Sequence, residues 1–208
     1  MQATLSAKEV NELKKAPHVG GVMDVFFDRW SPRSFADREV SPELLGKVFE
    51  AARWAASSYN EQPWRFLVGM RGSSTYDKIY HSLSESNRKW AGTAPVLMLN
   101  AARTKFDENG KPNRVAFYDL GAAASSLCLE AAALGLATQQ MEGFDTEAAR
   151  RAFDTPEDYT MGAAIALGYQ GEPGALGSEQ LIEKEVAPPT RLPLSEFVFS
   201  EWGKAAEI

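Results

Sequence analysis

The spacing of apolar and polar positions predicts two helices in the first quarter of the chain. Apolar side chains recur at helical spacing over 22–30, and the following Pro32 disfavours helix at the residue before it, so this helix should be short. Ser41 and Pro42 form a typical helix start, since serine caps the first turn and proline fits its first position. An apolar stripe over 44–55 predicts that this second helix continues almost to residue 57.

Other apolar runs predict strands. The segment 95–101 is apolar almost throughout, which indicates a strand that is buried on both faces of a sheet. Further strands are predicted at 64–68, 136–141 and 160–170, and further helices at 116–134, 145–153 and 178–185. The alternation of helices and strands is irregular, so the pattern favours an α+β layer structure over a doubly wound parallel sheet.

Two regions have compositions that suit packing against another chain. The helix over 116–134, which should end at Gly135, has alanine, glycine or serine at almost every turn. It is either an alanine-rich core helix or the central helix of a tight dimer, because small side chains let other helices approach closely. Near the C-terminus, Phe197, Phe199 and Trp202 lie in a segment that could wrap around a partner subunit.

Length, composition and charge narrow the class of protein. A chain of 208 residues with 44% hydrophobic and 24% charged residues is expected to form one globular domain. Its net charge of −6 disfavours nucleic-acid binding, and it has no apolar run of the roughly 20 residues that a membrane-spanning helix needs. The N-terminus lacks the apolar core of a signal peptide and the single cysteine cannot form an internal disulfide, so we expect a cytoplasmic protein.

Several familiar catalytic and nucleotide-binding motifs are absent from the sequence. There is no Rossmann glycine pattern, no phosphate-binding P-loop and no nucleophile elbow of a hydrolase. His18 and His81, together with a single cysteine, give no zinc-type spacing, and both are expected to be incidental surface residues. Cys128 lies amid alanines within a predicted helix, which favours a buried small side chain over a nucleophile.

Three short segments and one arginine remain as candidates for a site. RWSPRSF at 29–35 has guanidinium and hydroxyl groups that suit a phosphate monoester, although a solvated helix end would have the same composition. SSYNEQPWRF at 57–66 suits the polar edge of a heterocycle, and its alternative is a capped helix end. QQMEGFD at 139–145 has a glycine at which a ligand ring could approach the backbone, or a β-bulge. Arg191 could bring a third guanidinium to the same phosphate.

In order and spacing, these segments resemble the nitroreductase family of FMN-dependent oxidoreductases. The similarity runs from about residue 22 to 202 and includes AARWAASSYNEQPWRF, WAGTAPVLMLN, DLGAAASSLCLEAAALGL and TRLPLSEFV. It implies one FMN-binding domain over 1–208 with an N-terminal extension over 1–20, and an α+β fold whose mixed, largely antiparallel sheet is packed by helices. It also implies an intertwined homodimer with FMN at the subunit interface and exchange of a C-terminal arm over 188–208.

The resemblance also assigns residues to the cofactor. Arg29, Ser31 and Arg191 correspond to phosphate-binding residues, and Arg33 corresponds to a cation near the flavin pyrimidine. The other cofactor-binding positions are Ser57, Ser58 and Asn60 from the other subunit, Lys89 beside the polar edge of the ring, and Met141, Glu142 and Gly143. The backbone of Glu142 and Gly143 is expected to contact flavin N5, and no side chain is assigned as a certain acid or base.

Two positions depart from the family pattern. Many members have a proline where this chain has Gln140, so the loop before Glu142 need not have the family's shape. Many also have a basic residue where this chain has Pro189, which predicts one cation fewer around the phosphate. Gln62, within the second candidate segment, is interpreted as structural.

The implied activity is a ping-pong transfer of hydride from NADH or NADPH, through FMN, to electron-poor small molecules such as nitroaromatics, quinones or enals. Alternatives are reductive dehalogenation, flavin fragmentation, a non-catalytic FMN-binding dimer or a flavin-free protein. The sequence does not distinguish NADH from NADPH, because the fold lacks the ribose-binding position of a Rossmann domain. Residues 103–118, with Phe106, Phe117 and Tyr118, are either a lid that determines specificity or a solvated loop without a role.

Overall fold

The computed structural model describes residues 5–15 and 19–208, and its helices and strands belong to those ranges. The α-helices are α1 (Ala7–Lys14), α2 (Val25–Asp28), α3 (Pro42–Arg53), α4 (Ser74–Ser82), α5 (Glu85–Ala91), α6 (Ala116–Ala133), α7 (Thr146–Ala152) and α8 (Glu179–Val186). The strands are β1 (Trp64–Met70), β2 (Val96–Arg103), β3 (Ala137–Met141), β4 (Tyr159–Gly168), β5 (Phe199–Glu201) and β6 (Lys204–Ala205). Short 3₁₀ turns lie at Ser58–Asn60, Pro173–Leu176 and Leu194–Glu196.

The centre of the fold is an antiparallel sheet with the strand order β1-β2-β4-β3. Leu97 of β2 pairs with Gly69 of β1 on one side and with Ala166 of β4 on the other. The register of β2 against β4 shifts around Asn100, whose buried side chain accepts a hydrogen bond of 2.6 Å from the N–H of Ala163. Because successive side chains alternate between faces, this register determines which residues of β2 meet each layer of helices.

Helices cover both faces of the sheet, and each face has its own apolar core. On one face, Val96, Met98 and Ile165 pack with residues of α3 and α6. On the other face, Leu97 and Leu99 pack with residues of α4, α5 and α7. β2 is apolar along nearly all of its length because both of its faces are covered, as the sequence predicted.

Local signals explain where the predicted helices begin. The Ser41 side chain accepts a hydrogen bond of 3.3 Å from the N–H of Leu44, and Pro42 is the first residue of α3. Asp145 caps α7 in the same way, by accepting from the N–H of Ala148 at 2.9 Å. These side chains satisfy N–H groups for which a helix has no internal partner, so the starts could be predicted from short stretches of sequence.

The stretch between β1 and β2 contains two helices that the sequence pattern did not predict. Ser73 caps α4 and Ser84 caps α5, each by accepting from a backbone N–H of the first turn. Few of their residues are apolar, and those that are, such as Ile79 and Trp90, are buried against the sheet. Short helices of this kind depend on tertiary packing more than on their own pattern.

Segments at the two ends of the chain lie outside the sheet. α1 begins at the capping pair Ser6 and Glu9, contacts α8 and buries Val10 completely. After α8 the chain is mostly exposed and includes the small hairpin of β5 and β6, where the Trp202 side chain is 98% exposed. None of the helices in the described ranges combines the length and the apolar character needed to cross a membrane.

The predicted α+β fold with a largely antiparallel sheet packed by helices is confirmed, because β1 to β4 pair antiparallel throughout and helices cover both faces. The homodimer with arm exchange stays a prediction. The proposed limits of the domain, the N-terminal extension and the C-terminal arm also stay predictions.

Candidate functional site

Segment 29–34 places a guanidinium group beside a cavity, with a hydroxyl group in contact with that guanidinium. Arg29 follows the last residue of α2, and its side chain donates a hydrogen bond of 3.2 Å to the hydroxyl of Ser31. Pro32 is buried, which anchors the turn in the body of the protein. Arg29 also lines a cavity of about 290 Å³ between α1, the end of α6 and the start of β3. This set of donors suits a phosphate group.

A buried carboxylate from α8 holds the backbone of the same segment. Glu185 is completely buried, and its oxygens accept hydrogen bonds from the N–H of Arg33 at 3.0 Å and of Ser34 at 3.1 Å. Burial raises the pKa of Glu185 above its ordinary value, and the two N–H donors and the charges of Arg33 and Lys14 offset only part of that rise. The Ser34 hydroxyl donates to the carbonyl of Glu172 at 2.6 Å, so the segment has a second anchor.

Gly143 lies just beyond the end of β3 and packs against the start of α5. Its carbonyl oxygen accepts hydrogen bonds of 2.9 Å from the N–H of Ser84 and from the side-chain amide of Asn87. A Cβ atom at this position would lie 2.9 Å from the Asn87 amide nitrogen and 3.0 Å from the Ser84 hydroxyl. Glycine is therefore the residue that permits this close approach of backbone and side chains.

The other predicted residues near Gly143 differ in exposure. Met141 is buried at the end of β3, whereas Glu142 is exposed. Lys89 is on α5, the helix that contacts Gly143, and its exposed side chain pairs with Glu85 at 3.6 Å. Gln140, where many family members have proline, is an ordinary residue of β3 and pairs with Ile165 in the sheet.

The cavity and Gly143 lie towards opposite ends of β3. Ala137, the first residue of the strand, lines the cavity with Arg29 and Cys128. The side-chain amide of Gln140 lies 3.5 Å from the Cys128 sulfur, and burial raises the pKa of this thiol, which keeps it protonated. A strand of five residues is roughly 16 Å long. The predicted phosphate-binding residue Arg29 and the predicted ring contact Gly143 therefore lie near different ends of the same strand.

Loop 57–62 has a backbone that is uncommon for residues other than glycine. The φ angles of Tyr59, Asn60 and Gln62 are positive, at 52°, 56° and 47°. At its start, the N–H of Ser58 donates a hydrogen bond of 3.1 Å to the carboxylate of Asp119, a buried residue of α6. The loop is therefore attached to α6 through its backbone rather than through the side chains of its serines.

Further contacts hold the second half of this loop. The N–H of Gln62 donates to the Ser57 hydroxyl at 3.0 Å, and the Gln62 side-chain amide donates to the carbonyl of Asn60 at 3.0 Å. Glu61 pairs with Arg103 at 3.4 Å, and both side chains are largely buried. The ion pair connects the loop to the end of β2.

The sequence matches the model of the Nitroreductase family over residues 27–89 and 70–169, which together make up more than half of the chain. The protein belongs to the nitroreductase family. The resemblance inferred from its sequence is thereby confirmed.

Similar proteins and structures agree with the family. A crystal structure of an oxidoreductase containing FMN has 33% sequence identity and a TM-score of 0.83, covering 88% of this chain and 93% of that chain. A Desulfovibrio desulfuricans protein, provisionally named a nitroreductase and solved in complex with FMN, has 26% identity and a TM-score of 0.67, covering 88% and 98%. A provisionally named NADH dehydrogenase/NAD(P)H nitroreductase from Streptomyces coelicolor is 28% identical over 170 residues, which are 73% of this chain and 84% of that protein.

Within one chain of this nitroreductase-family protein, the predicted site residues lie in separate places. Arg29 contacts Ser31. Lys89 is on α5, and Asn87 of the same helix donates a hydrogen bond to the carbonyl of Gly143. Arg191 is exposed and donates to the carbonyl of its neighbour Thr190 at 2.7 Å, so the described contacts do not join it to Arg29. Of the two histidines, His81 is exposed at the end of α4 and His18 lies outside the described residues.

Two residues that hold this candidate site were missed in the sequence. Glu185 follows Leu181 and Ile182 at helical spacing, and Asp119 stands four residues before Ala123 on the buried stripe of α6. A carboxylate at an apolar position of a helix is costly to bury unless backbone or side-chain donors satisfy it. A carboxylate at such a position therefore indicates that it is satisfied by nearby donors. The sequence does not identify the N–H groups that Glu185 and Asp119 contact.

Proposed function

We propose that this protein is an FMN-dependent oxidoreductase that accepts hydride from NADH or NADPH and passes it to electron-poor small molecules. The observation that carries the proposal is the cavity lined by Arg29, whose side chain contacts Ser31, at one end of β3 and the Gly143 backbone at the other, in a chain of the nitroreductase family. Bound FMN supplies the hydride chemistry, and the protein positions and tunes it. Two similar structures contain FMN, which supports the same cofactor here.

Each predicted side chain then has a role in binding. Arg29 and Ser31 hold the phosphate group, for which a guanidinium provides paired donors and a hydroxyl a neutral one. Arg33 places its charge near the pyrimidine, and the contact of its N–H with Glu185 fixes where this residue lies. Lys89 provides a cation beside the polar edge of the ring. The backbone of Glu142 and Gly143 faces flavin N5, and Met141 precedes them in the cofactor-binding segment.

Loop 57–62 and the C-terminal arm act across a homodimer in this proposal. Ser57, Ser58 and Asn60 reach the flavin of the partner subunit, and Arg191 reaches a phosphate from the exchanged arm. The support is the exposure of large apolar side chains in one chain, including Tyr59 at 90% and Trp202 at 98%. Large exposed apolar side chains are typical of surfaces that pair with another chain.

The electron acceptor is proposed to enter beside residues 103–118. The ring of Phe106 packs against that of Tyr59, with a centroid distance of 5.9 Å, so this segment adjoins loop 57–62. Phe117 and Tyr118 are exposed at the start of α6. Aromatic side chains at this position favour flat, electron-poor acceptors such as nitroaromatics and quinones. A location in the cytoplasm is part of the same proposal.

Purification followed by spectroscopy tests the proposed activity. We expect the absorbance spectrum of bound FMN, bleaching of that spectrum when NADH or NADPH is added without oxygen, and its return when a nitroaromatic or quinone is added. Bound flavin that neither nicotinamide reduces would instead indicate a non-catalytic FMN-binding dimer. Purified protein that contains no flavin and binds none on addition would contradict the proposal.

The proposed dimer has a separate test. Sedimentation of the full chain should give the mass of two subunits, and Trp202→Ala should weaken their association, because a buried tryptophan commonly contributes about 2 kcal/mol or more to an interface. Trp202→Phe is the matched control, since it keeps a large aromatic side chain at the same position and should weaken the association less. A monomeric protein at all concentrations would exclude the arm exchange.

A further inference from the structure

The cavity beside Arg29 is partly formed by a helix that precedes the family match. α1 spans Ala7–Lys14, whereas the match to the Nitroreductase family begins at residue 27. Four polar residues line the cavity. Lys8, Asn11 and Glu12 belong to α1, and Lys15 is the C-terminal cap of this helix. They recur at three- and four-residue spacing, so one polar face of the helix points to the cavity.

Contacts with the neighbouring segment fix α1 in this position. Asn11 accepts a hydrogen bond of 2.8 Å from the indole N–H of Trp30, and the ammonium group of Lys14 lies 4.8 Å from the centroid of the same ring. Val10, on the opposite face of the helix, is completely buried. Because Trp30 is part of segment 29–34, these contacts attach α1 to the residues proposed to bind phosphate.

Positive side chains outnumber negative ones around this cavity. Its cations are Lys8, Lys15 and Arg29, and its carboxylates are Glu12 and Asp28. Lys15 pairs with Glu12 at 3.0 Å, and this contact raises the pKa of Lys15, so its ammonium group is charged at neutral pH. A phosphate monoester carries about 1.5 to 2 negative charges at pH 7. Arg29 is the arginine that lines the cavity within one chain, and its single charge balances only part of that of the phosphate, even where Arg191 of a partner's arm adds a second.

We propose that Lys8 and Lys15 bind the phosphate group of FMN together with Arg29, so that α1 is a wall of the cofactor site. This inference rests on the proposed function, because it names further residues of the same site. Glu12 opposes binding, since it holds Lys15 in an ion pair and places a carboxylate beside the phosphate. Flexible lysine side chains can exchange such an exposed partner for a dianion at little cost.

The test compares two flavins that differ in the phosphate group. FMN and riboflavin share the ring and the ribityl chain, so a contact with phosphate affects the dissociation constant of FMN alone. Flavin is removed from the purified full-length protein, and both dissociation constants are measured from the quenching of flavin fluorescence. The variants are Lys8→Gln, Lys15→Gln, the double variant and Glu12→Gln.

We expect each lysine variant to weaken FMN binding about two- to fivefold, as is typical of one exposed charge pair, and the double variant about tenfold. Riboflavin binding should be unchanged in all of them. Glu12→Gln should tighten FMN binding about twofold, because Lys15 is released and a negative charge is removed. The matched control is Lys47→Gln, since Lys47 also pairs with a glutamate at 3.0 Å but belongs to α3, away from the cavity.

Two results would overturn this inference while leaving the proposed function intact. One is an FMN dissociation constant that stays within twofold of the wild-type value in the double variant. The other is an equal weakening of FMN and riboflavin, which would mean that α1 supports the site only as structure. Wild-type protein that binds neither flavin would instead contradict the proposed function, and the inference would fail with it.

Discussion

Segment 29–34 and loop 57–62 both carry predicted cofactor residues, and a buried carboxylate on a neighbouring helix holds each of them. Glu185 of α8 accepts from the N–H groups of Arg33 and Ser34. Asp119 of α6 accepts from the N–H of Ser58. The carboxylate is suited to this task because it accepts several hydrogen bonds and needs no donor of its own.

The two anchors differ in their donors and surroundings. Glu185 receives two consecutive N–H groups and has the charges of Arg33 and Lys14 nearby, whereas Asp119 accepts from a backbone N–H of loop 57–62 at 3.1 Å. Loop 57–62 also has positive φ angles and exposes Tyr59, whereas segment 29–34 has its proline buried. Segment 29–34 is thus held inside the chain, whereas loop 57–62 leaves an exposed side that the proposed homodimer would cover.

Removal of the Glu185 carboxylate should give the largest effect. Glu185→Ala leaves two buried or partly buried N–H groups without an acceptor, and the free energy of unfolding should fall by about 2–4 kcal/mol. Urea denaturation measures the change. The control is Glu183→Ala on the exposed side of the same helix, for which we expect a change within about 0.5 kcal/mol. Equal losses in the two variants would show that Glu185 is not an anchor.

Removal of the Asp119 carboxylate should have a smaller effect. Asp119→Ala deprives the N–H of Ser58 of its acceptor, and the free energy of unfolding should fall by about 1–2 kcal/mol. The same denaturation experiment applies, with the exposed Ser125→Ala as control on α6. A loss as large as that of Glu185→Ala would contradict the inference that segment 29–34 is held more firmly than loop 57–62.

Gly143 provides a third case, in which neutral groups hold the backbone. Gly143→Ala places a Cβ atom within 3.0 Å of Asn87 and Ser84, so the Asn87 side chain must move and its hydrogen bond to the Gly143 carbonyl weakens. We expect a loss of about 1 kcal/mol in the free energy of unfolding. Gly46→Ala in α3 is the control and should have the opposite sign, because nothing lies within 4 Å of its new Cβ and alanine favours helix.

The pH dependence of Glu185 should give the smallest change. Because its folded pKa lies above the ordinary value of 4.5, the stability that this group contributes is complete below 4.5 and is lost as pH rises through the folded pKa. The advantage of the wild type over Glu185→Gln, which cannot titrate, should therefore shrink from about pH 4 upwards. Urea denaturation of both proteins across this range measures the difference. An advantage that grows with pH would reverse the sign of the expected linkage.

The sequence was most informative where hydrogen bonds are local. The Ser41 cap, the end of α6 at Gly135 and the doubly buried β2 follow from short stretches of residues, and the structure has them. α4 and α5 were not predicted, because their pattern of apolar residues is weak and their stability depends on burial against the sheet. In the candidate site, the resemblance supplied the positions of Arg29 and Gly143, but not the carboxylates that hold their neighbours.

By itself, the sequence determined the order of most elements, the α+β class and the family, because these depend on periodicity, caps and the spacing of short segments. The tertiary structure decided what surrounds the site: Glu185 lies 151 residues after Ser34 along the chain, yet their atoms are 3.1 Å apart. The tertiary structure also turned the polar face of α1 towards Arg29. A sequence pattern reports the environment of a residue but not the identity of a distant partner, and hydrogen bonds and ion pairs depend on that identity.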